Sequence, residues 1–185
     1  MRPQKGKKKI IDAALLLFTQ NGFHKTTISQ IAKQAGVSKG LTYNYFDTKE
    51  ELLFAIIDNA SESIIEIAER LVSSSGYQTT LLNFLDDYFH FLKSKKNFLA
   101  LQLGLLFQPD LKDLTRPLLE KRSSRLYKIT RTMFKRSRVF NPEQSAKRFM
   151  SELDGIALHY LFVFNDYPLE EMVKQLFNNY KNLGK

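Results

Sequence analysis

Apolar residues recur at helical spacing along almost the whole chain. In the first segment Ile10, Ala13, Ala14, Leu17 and Phe18 fall on one stripe, at intervals of three and four residues. That spacing is typical of one face of an α-helix. No segment shows sustained alternation of apolar and polar positions with β-branched side chains, which would indicate a strand. The pattern therefore predicts an all-α fold.

Residues that cap helix ends mark where the helices start and stop. Residues 27–30, 48–51 and 141–144 have the sequence of a capping box, and in the third Pro142 stands at the first helical position. Gly22 suits the left-handed residue that ends a helix. These signals divide the chain into about nine helices. Their approximate bounds are 6–21, 28–35, 39–45, 49–73, 78–95, 98–107, 114–137, 142–164 and 168–182.

Residues 27–46 join two short helices through a tight turn. Ala32 and Ala35 are small, which lets the second helix cross the first closely, and Gly36 supplies a left-handed turn residue. Ser38 caps the second helix, which Phe46 anchors in the core. This order of features predicts a helix-turn-helix, a motif whose second helix enters the major groove of DNA.

The charge of the chain is concentrated near its beginning. The net charge is +9, and residues 1–50 hold nine Lys and Arg against three acids. A basic segment of this kind is typical of a protein that binds a polyanion such as DNA. Charge alone leaves a second interpretation open, a solvated lysine-rich surface without a partner.

The first 50 residues resemble the DNA-binding domain of the tetracycline-repressor (TetR) family. The shared positions run from Ile10, Ala13-Ala14 and Leu17-Phe18, through Gly22, Thr26-Thr27, Ile31-Ala32 and Ala35 to Gly40, to Tyr43, Tyr45-Phe46, Lys49-Glu50 and Leu52. The resemblance implies a three-helix DNA-binding domain at residues 1–48. It also implies a larger helical domain for effector binding and dimerisation at residues 49–185. The expected protein is a cytoplasmic, dimeric repressor of transcription.

The short helix after Ser38 is expected to read the DNA. Gly40, Leu41 and Asn44 should face base edges, where Leu41 could touch a thymine methyl group. Other side chains are expected to meet phosphates: Thr27, Ser38, Lys39, Tyr43, Tyr45 and Lys49. Related sequences usually have a small or polar residue in place of Leu41 and an apolar one in place of Thr42. Two interpretations therefore stay open: Leu41 reads a methyl group, or the helix is rotated and Thr42 is the reader.

Aromatic residues are concentrated in the later part of the chain, where 17 of the 23 Phe and Tyr follow residue 75. A helix that is apolar on several sides is buried among others or lines a cavity. The family resemblance implies an apolar effector pocket enclosed by segments 49–73, 78–95, 98–107 and 114–137. Its candidate residues are Phe84, Tyr88, Phe91, Gln102, Tyr127, Thr130 and His159. The alternative is a packed core without a ligand.

The last two helices carry more apolar surface than one neighbour would cover. The resemblance implies that they form a four-helix interface between two copies of the chain, which would place two reading helices about 34 Å apart. The candidate interface residues are Phe149, Leu153, Ile156, Tyr160, Met172 and Leu176.

Several other classes of protein receive no support. The chain has no cysteine, and none of its three histidines has a helical partner histidine, so neither a metal site nor a cofactor is expected. No nucleophile–base motif or phosphate loop indicates an enzyme. The longest internal apolar run, 98–107, is far shorter than the ~20 residues of a membrane-spanning helix. Asp12 interrupts the apolar start, which argues against a signal peptide.

The expected partners are double-stranded operator DNA, a second copy of the chain and a small apolar or amphipathic effector. Two alternatives remain. One is a DNA-binding protein of the same fold that is controlled by a protein partner or by its abundance. The other is a helical adaptor that binds an acidic protein.

Overall fold

A computed structural model describes residues 3–72, 76–106 and 109–184, and within those ranges the chain forms nine α-helices and no strand. The all-α fold and the number of helices are therefore confirmed. Two short turns extend α4 and α8: a 3-10 helix at Arg70–Val72 and a π-helix at His159–Val163. The helices are α1 (Pro3–Asn21), α2 (Ile28–Ala35), α3 (Lys39–Tyr43), α4 (Lys49–Glu69), α5 (Tyr77–Ser94), α6 (Lys96–Leu106), α7 (Pro109–Arg136), α8 (Pro142–Leu158) and α9 (Leu169–Tyr180).

Two helices differ most from their predicted bounds. Helix α7 begins at Pro109 and continues through Pro117, whereas its predicted start was residue 114. A proline at the first helical position leaves no N–H unpaired, so Pro109 starts the helix instead of preceding it. Helix α8 was predicted to reach residue 164 but ends at Leu158. It continues as the π-helix, in which the N–H of Phe164 donates to the carbonyl of His159 at 3.1 Å.

Contacts between residues divide the chain into two compact units. The first unit comprises Met1–Ala60 with Asn97–Leu118, and the second comprises Ser61–Lys96 with Leu119–Lys185. Helices α4 and α7 each contribute residues to both units. Because these units are defined by packing, the functional boundary expected after residue 48 stays a prediction.

The first unit is organised around α1, whose buried side includes Ile10, Ala14 and Phe18. This helix ends where Gly22 adopts a φ of 81°, and the Gly22 N–H donates to the Phe18 carbonyl at 3.0 Å. Helix α2 packs against α1, and α3 packs against α2. The predicted apolar stripe thus supports the two helices that follow it.

Aromatic rings fill the core of the second unit. Phe149 lies 4.9 Å from Tyr180, 5.8 Å from Phe134 and 5.9 Å from Phe84, measured between ring centroids. The Tyr77 hydroxyl donates to the Tyr180 carbonyl at 2.9 Å, which joins the start of α5 to the end of α9. At these positions the aromatic residues therefore form packed core.

Candidate nucleic-acid interface and buried cavity

Helix α2 begins at a complete capping box. The Thr27 hydroxyl accepts from the N–H of Gln30 at 3.3 Å, and the Gln30 side-chain oxygen accepts from the N–H of Thr27 at 2.8 Å. Two N–H groups that a helix start leaves unpaired are satisfied by these bonds. The box predicted from sequence at residues 27–30 is confirmed.

The turn between α2 and α3 is closed by its own backbone. Gly36 has a φ of 65°, its N–H donates to Lys33 at 3.2 Å, and the N–H of Val37 donates to Ala32 at 3.0 Å. The Ser38 hydroxyl then accepts from the N–H of Leu41 at 3.0 Å and starts α3. The orientation of α3 on α2 is therefore fixed within a few residues of chain.

Thr42 lies on the inner side of α3, and Phe46 is buried just after the helix ends. Thr42 is 0% exposed, and its hydroxyl donates to the Ser38 carbonyl at 3.4 Å. Phe46 is also buried, and the Lys7 ammonium lies 5.5 Å from the centre of its ring. Leu41 is half-buried on the other side. Of the two interpretations left open by the sequence, the structure is compatible with Leu41 as the outward residue and not with Thr42.

The outer side of α3 is open. Ser38, Lys39, Gly40, Tyr43 and Asn44 are all exposed, and the Lys39 ammonium lies 5.7 Å from the centre of the Tyr43 ring. A Cβ added to Gly40 would meet only the Ser38 hydroxyl, at 4.0 Å. Packing within the chain therefore does not require glycine at position 40.

Tyr45 and Lys49 differ from the other predicted contacts because both are engaged within the first unit. Tyr45 is half-buried, and its hydroxyl would lie 3.3 Å from a Cβ added to Gly6 of α1. The Lys49 ammonium donates to the carbonyls of Phe23 at 2.9 Å, Thr26 at 3.0 Å and His24 at 3.4 Å. An ammonium has three donors, and in this structure Lys49 directs them to the loop before α2.

A small cavity that is partly open to solvent, which we call the Arg122 cavity, lies in the second unit between α4, α5, α7 and α8. Its volume is about 50 Å³. The lining residues are Ile64, Ala68, Phe84, Tyr88, Arg122, Leu126, Thr130, Met150, Leu153 and Asp154. The sequence predicted a pocket among the middle helices and took only His159 from the eighth predicted helix, whose other named residues were assigned to the dimer interface.

Three of the predicted effector residues line this cavity: Phe84, Tyr88 and Thr130. Phe91 is buried without lining it, and Tyr127 is half-buried elsewhere on α7. His159 is exposed, with its ring 5.5 Å from that of Phe164. The side chain of Gln102 lies outside the described residues.

The uncharged polar groups of the cavity are paired with backbone. The Tyr88 hydroxyl donates to the Leu153 carbonyl at 3.1 Å, and the Thr130 hydroxyl donates to the Leu126 carbonyl at 2.9 Å. Burial raises the pKa of the Tyr88 phenol, and the nearby Asp154 raises it further. Tyr88 therefore stays neutral and acts as a hydrogen-bond donor.

Two ionisable residues of the cavity were missed by the sequence analysis. Burial lowers the pKa of the Arg122 guanidinium, an effect that Asp154 opposes, and burial raises the pKa of the Asp154 carboxyl, which Arg122 opposes. The Nε of Arg122 is buried without a hydrogen-bond partner, the one such side-chain atom found among the described residues. Both lie on long polar helix faces, where periodicity alone does not separate an inward charge from a solvated one.

The predicted dimer residues are mostly inside a single chain. Phe149 is 0% exposed and cannot contact a second copy, and Leu153, Ile156 and Leu176 are also buried. Tyr160 and Met172 are half-buried. Large apolar side chains are exposed just beyond them, on the last residue of α8 and on the π-helix and its end: Leu158, Phe162, Val163 and Phe164. These residues were not predicted, because a regular helix through residue 164 would have spread them over several faces.

The described residues contain neither a metal-binding group nor a membrane-spanning helix. Among the residues with described positions, no group of His, Cys, Asp and Glu is arranged to hold a metal ion. Over the same residues, no helix combines the length and apolar character needed to cross a membrane.

The beginning of the chain is similar to known regulators of transcription. The family described as bacterial regulatory proteins, tetR family, matches residues 10–56. The fatty acid metabolism regulator protein of Bacillus subtilis is 43% identical over 61 residues, which are 33% of this chain and 31% of that protein. The regulator RutR of Escherichia coli is 51% identical over 51 residues, 28% of this chain and 24% of that protein. The matches thus span only about a quarter to a third of these relatives.

The similarity of fold extends over nearly the whole chain. The crystal structure of the regulator FadR from Bacillus subtilis, in complex with stearoyl-CoA, superposes with a TM-score of 0.78. The two sequences are 22% identical, and the match covers 95% of this chain and 97% of that one. Such a likeness shows the fold. The names of the relatives agree with the prediction that the chain is not an enzyme.

Proposed function

We propose that this chain is a regulator of the tetR type, because residues 10–56 match that family of bacterial regulatory proteins, and that it regulates transcription by binding operator DNA. It acts as a homodimeric repressor in the cytoplasm, and a small apolar or amphipathic effector releases it from a palindromic operator. The observation that carries this proposal is the outer side of α3, which is exposed while Thr42 and Phe46 anchor its inner side.

Helix α3 enters the major groove with Gly40 closest to the DNA. A glycine there lets the backbone approach, Leu41 meets a thymine methyl group, and Asn44 hydrogen-bonds a base edge. The exposed side chains of Ser38, Lys39 and Tyr43 meet phosphates, whereas the Thr27 hydroxyl donates to Gln30 at 3.0 Å and Lys49 supports the loop before α2. Exposed lysines of α1, including Lys5, Lys8 and Lys9, add attraction to the DNA backbone.

A second copy of the chain covers the exposed apolar residues at the end of α8. A groove of about 220 Å³ between α8 and α9 adjoins them, lined by Glu152, Gly155, Ile156, His159, Tyr167, Met172, Gln175, Leu176 and Asn179. Apolar side chains that are exposed together are typical of an interaction surface. A two-fold interface here places two reading helices one turn of DNA apart, about 34 Å.

The effector binds in the second unit, at the Arg122 cavity. The closely similar fold of FadR holds stearoyl-CoA, which supports a ligand with an apolar chain. An effector changes operator affinity only through its different affinity for two states of the dimer. Couplings of this kind are typically about 1–3 kcal/mol, or 5- to 150-fold in affinity.

The volume of the cavity favours a second candidate function. At about 50 Å³ it is far smaller than the roughly 300–1,000 Å³ of typical ligand pockets. A regulator of the same fold without a small effector would be controlled by a protein partner or by its abundance. Melting curves with a panel of apolar ligands separate the two, because a ligand that binds the native state raises the melting temperature.

Selection of bound duplexes from a random pool tests the DNA-binding function. We expect a palindrome with half-sites centred about one helical turn apart. A shuffled duplex of the same length should bind far more weakly in a gel-shift competition at moderate salt. Equal binding of both duplexes would reject sequence-specific regulation and favour the helical adaptor.

A further inference from the structure

The Arg122 cavity combines apolar walls with a half-buried cation, the Arg122 guanidinium, whose Nε is buried. Phe84, Leu126 and Leu153 contribute apolar surface, and Arg122 enters from α7. An apolar pocket that contains a few placed polar groups is the usual form of a small-molecule site, in which the polar groups orient the ligand. The charge of Arg122 should therefore determine which chemical class of effector binds in the cavity.

Arg122 is the polar group of the cavity that the chain leaves incompletely paired. The hydroxyls of Tyr88 and Thr130 already donate to backbone carbonyls, whereas the buried Nε of Arg122 has no acceptor. A buried donor without a partner costs about 1–3 kcal/mol, and more when it is charged. An anion that reached this nitrogen would recover that free energy.

Asp154 restricts which anion can bind. It lines the same cavity, and its charge acts on Arg122 strongly enough to oppose the effect of burial on the guanidinium. A ligand with a double negative charge would meet Asp154 at close range and be repelled. A carboxylate carries one charge, and its planar shape matches the guanidinium.

We propose that the effector is an amphipathic carboxylate whose head binds Arg122 and whose apolar chain packs against Phe84, Leu126 and Leu153. This inference rests on the proposed function only in assuming that the cavity binds an effector. The present volume of about 50 Å³ admits the head group but not the chain. Binding therefore enlarges the cavity, and a ligand that fits only the enlarged state favours that state.

Calorimetric titration of the full chain with decanoate and with decanol tests the proposal, since the two probes share an apolar chain and differ in charge. We expect decanoate to bind about 10- to 100-fold more tightly than decanol, the range of a charge-assisted hydrogen bond. Arg122→Gln should abolish this preference. Asp154→Asn should strengthen decanoate binding, because it removes a competing negative charge.

Lys121→Gln is the matched control, since Lys121 is an exposed cation on the same helix, and it should keep the preference for decanoate. Equal binding of the two probes to the native chain would overturn the proposal, as would a preference that survives Arg122→Gln. Melting curves of each variant show whether it is folded. Gel shifts without ligand test DNA binding separately from effector binding, because Arg122→Gln should still bind the selected operator.

Discussion

The hydrogen bonds that shape the helix-turn-helix join residues close in sequence, whereas those of the second unit join residues far apart in sequence. In the helix-turn-helix, the capping bonds of Thr27 and Ser38 join residues three apart. In the second unit, the Tyr88 hydroxyl bonds a carbonyl 65 residues away, and the Tyr77 hydroxyl bonds one 103 residues away. The first region is thus specified by short motifs, and the second by which distant side chains fill one core.

The comparisons with known proteins follow the same division. Identity of 43–51% is confined to segments of 51–61 residues, whereas the fold persists over 95% of the chain at 22% identity. Cores tolerate many apolar substitutions when volume and pattern are kept, but a cap or a turn accepts few residue types. A change in the core should therefore act on stability, and a change on the outer side of α3 should act on DNA binding.

The largest expected effect comes from opening the aromatic core of the second unit. Phe149→Ala should lower the free energy of unfolding by about 3–5 kcal/mol, because it leaves a cavity among rings 4.9–5.9 Å away. Urea unfolding followed by circular dichroism measures the loss, since the chain has no tryptophan. Phe140→Ala is the control: Phe140 is 93% exposed, and its loss should change stability by less than about 0.5 kcal/mol. A similar loss of stability in both variants would contradict the view that the stability of the second unit depends on its buried aromatic core.

Two lysines of the first unit should separate stability from DNA binding. Lys49→Met should lower the free energy of unfolding by about 1.5–3 kcal/mol, because its ammonium donates to three carbonyls of the loop before α2. Lys39→Met should leave stability within about 0.5 kcal/mol and weaken operator binding instead. It should also reduce the slope of log affinity against log salt by about one.

Urea unfolding and a salt series of gel shifts measure the two quantities on the same preparations. A Lys49→Met protein of unchanged stability but with a reduced salt slope would restore Lys49 as a phosphate ligand, the role expected from its place at the start of α4.

The first unit shows which features could be predicted from the sequence and which could not. The capping box at residues 27–30, the left-handed Gly22 and Gly36 and the buried place of Phe46 follow from rules that act over three or four residues, and the structure confirms them. The box expected at residues 48–51 is formed only in part, because the Thr48 hydroxyl accepts from the Glu51 N–H but the Glu51 carboxylate accepts from the N–H of Asp47. The contacts of Lys49 within the chain were not predicted, because its partners lie 23 to 26 residues away, where no local rule applies.

The same limit explains the second unit. Helical periodicity predicted that Phe149 lies on the apolar face of its helix. It did not predict whether that face packs in the core of its own chain or against a second copy. Arg122 and Asp154 lie 32 positions apart, and only packing brings both to one cavity. The irregular turn after α8, which exposes Phe162 and Phe164, carried no signal in the spacing of apolar residues.

The smallest change in stability should accompany a clear change in function at Gly40. Both Gly40 and Gly104 lie in helices with open space around them, so replacing either by alanine should raise the free energy of unfolding by about 0.5–1 kcal/mol. Gly40→Ala should nevertheless weaken operator binding at least about tenfold, or 1.4 kcal/mol, because its methyl group stands on the side of α3 that approaches the DNA. Gly104→Ala should bind the operator like the native chain. Gel shifts with the selected duplex and urea unfolding of both variants decide the matter: if both bind equally well, α3 does not approach DNA through this face, and its open side has another purpose.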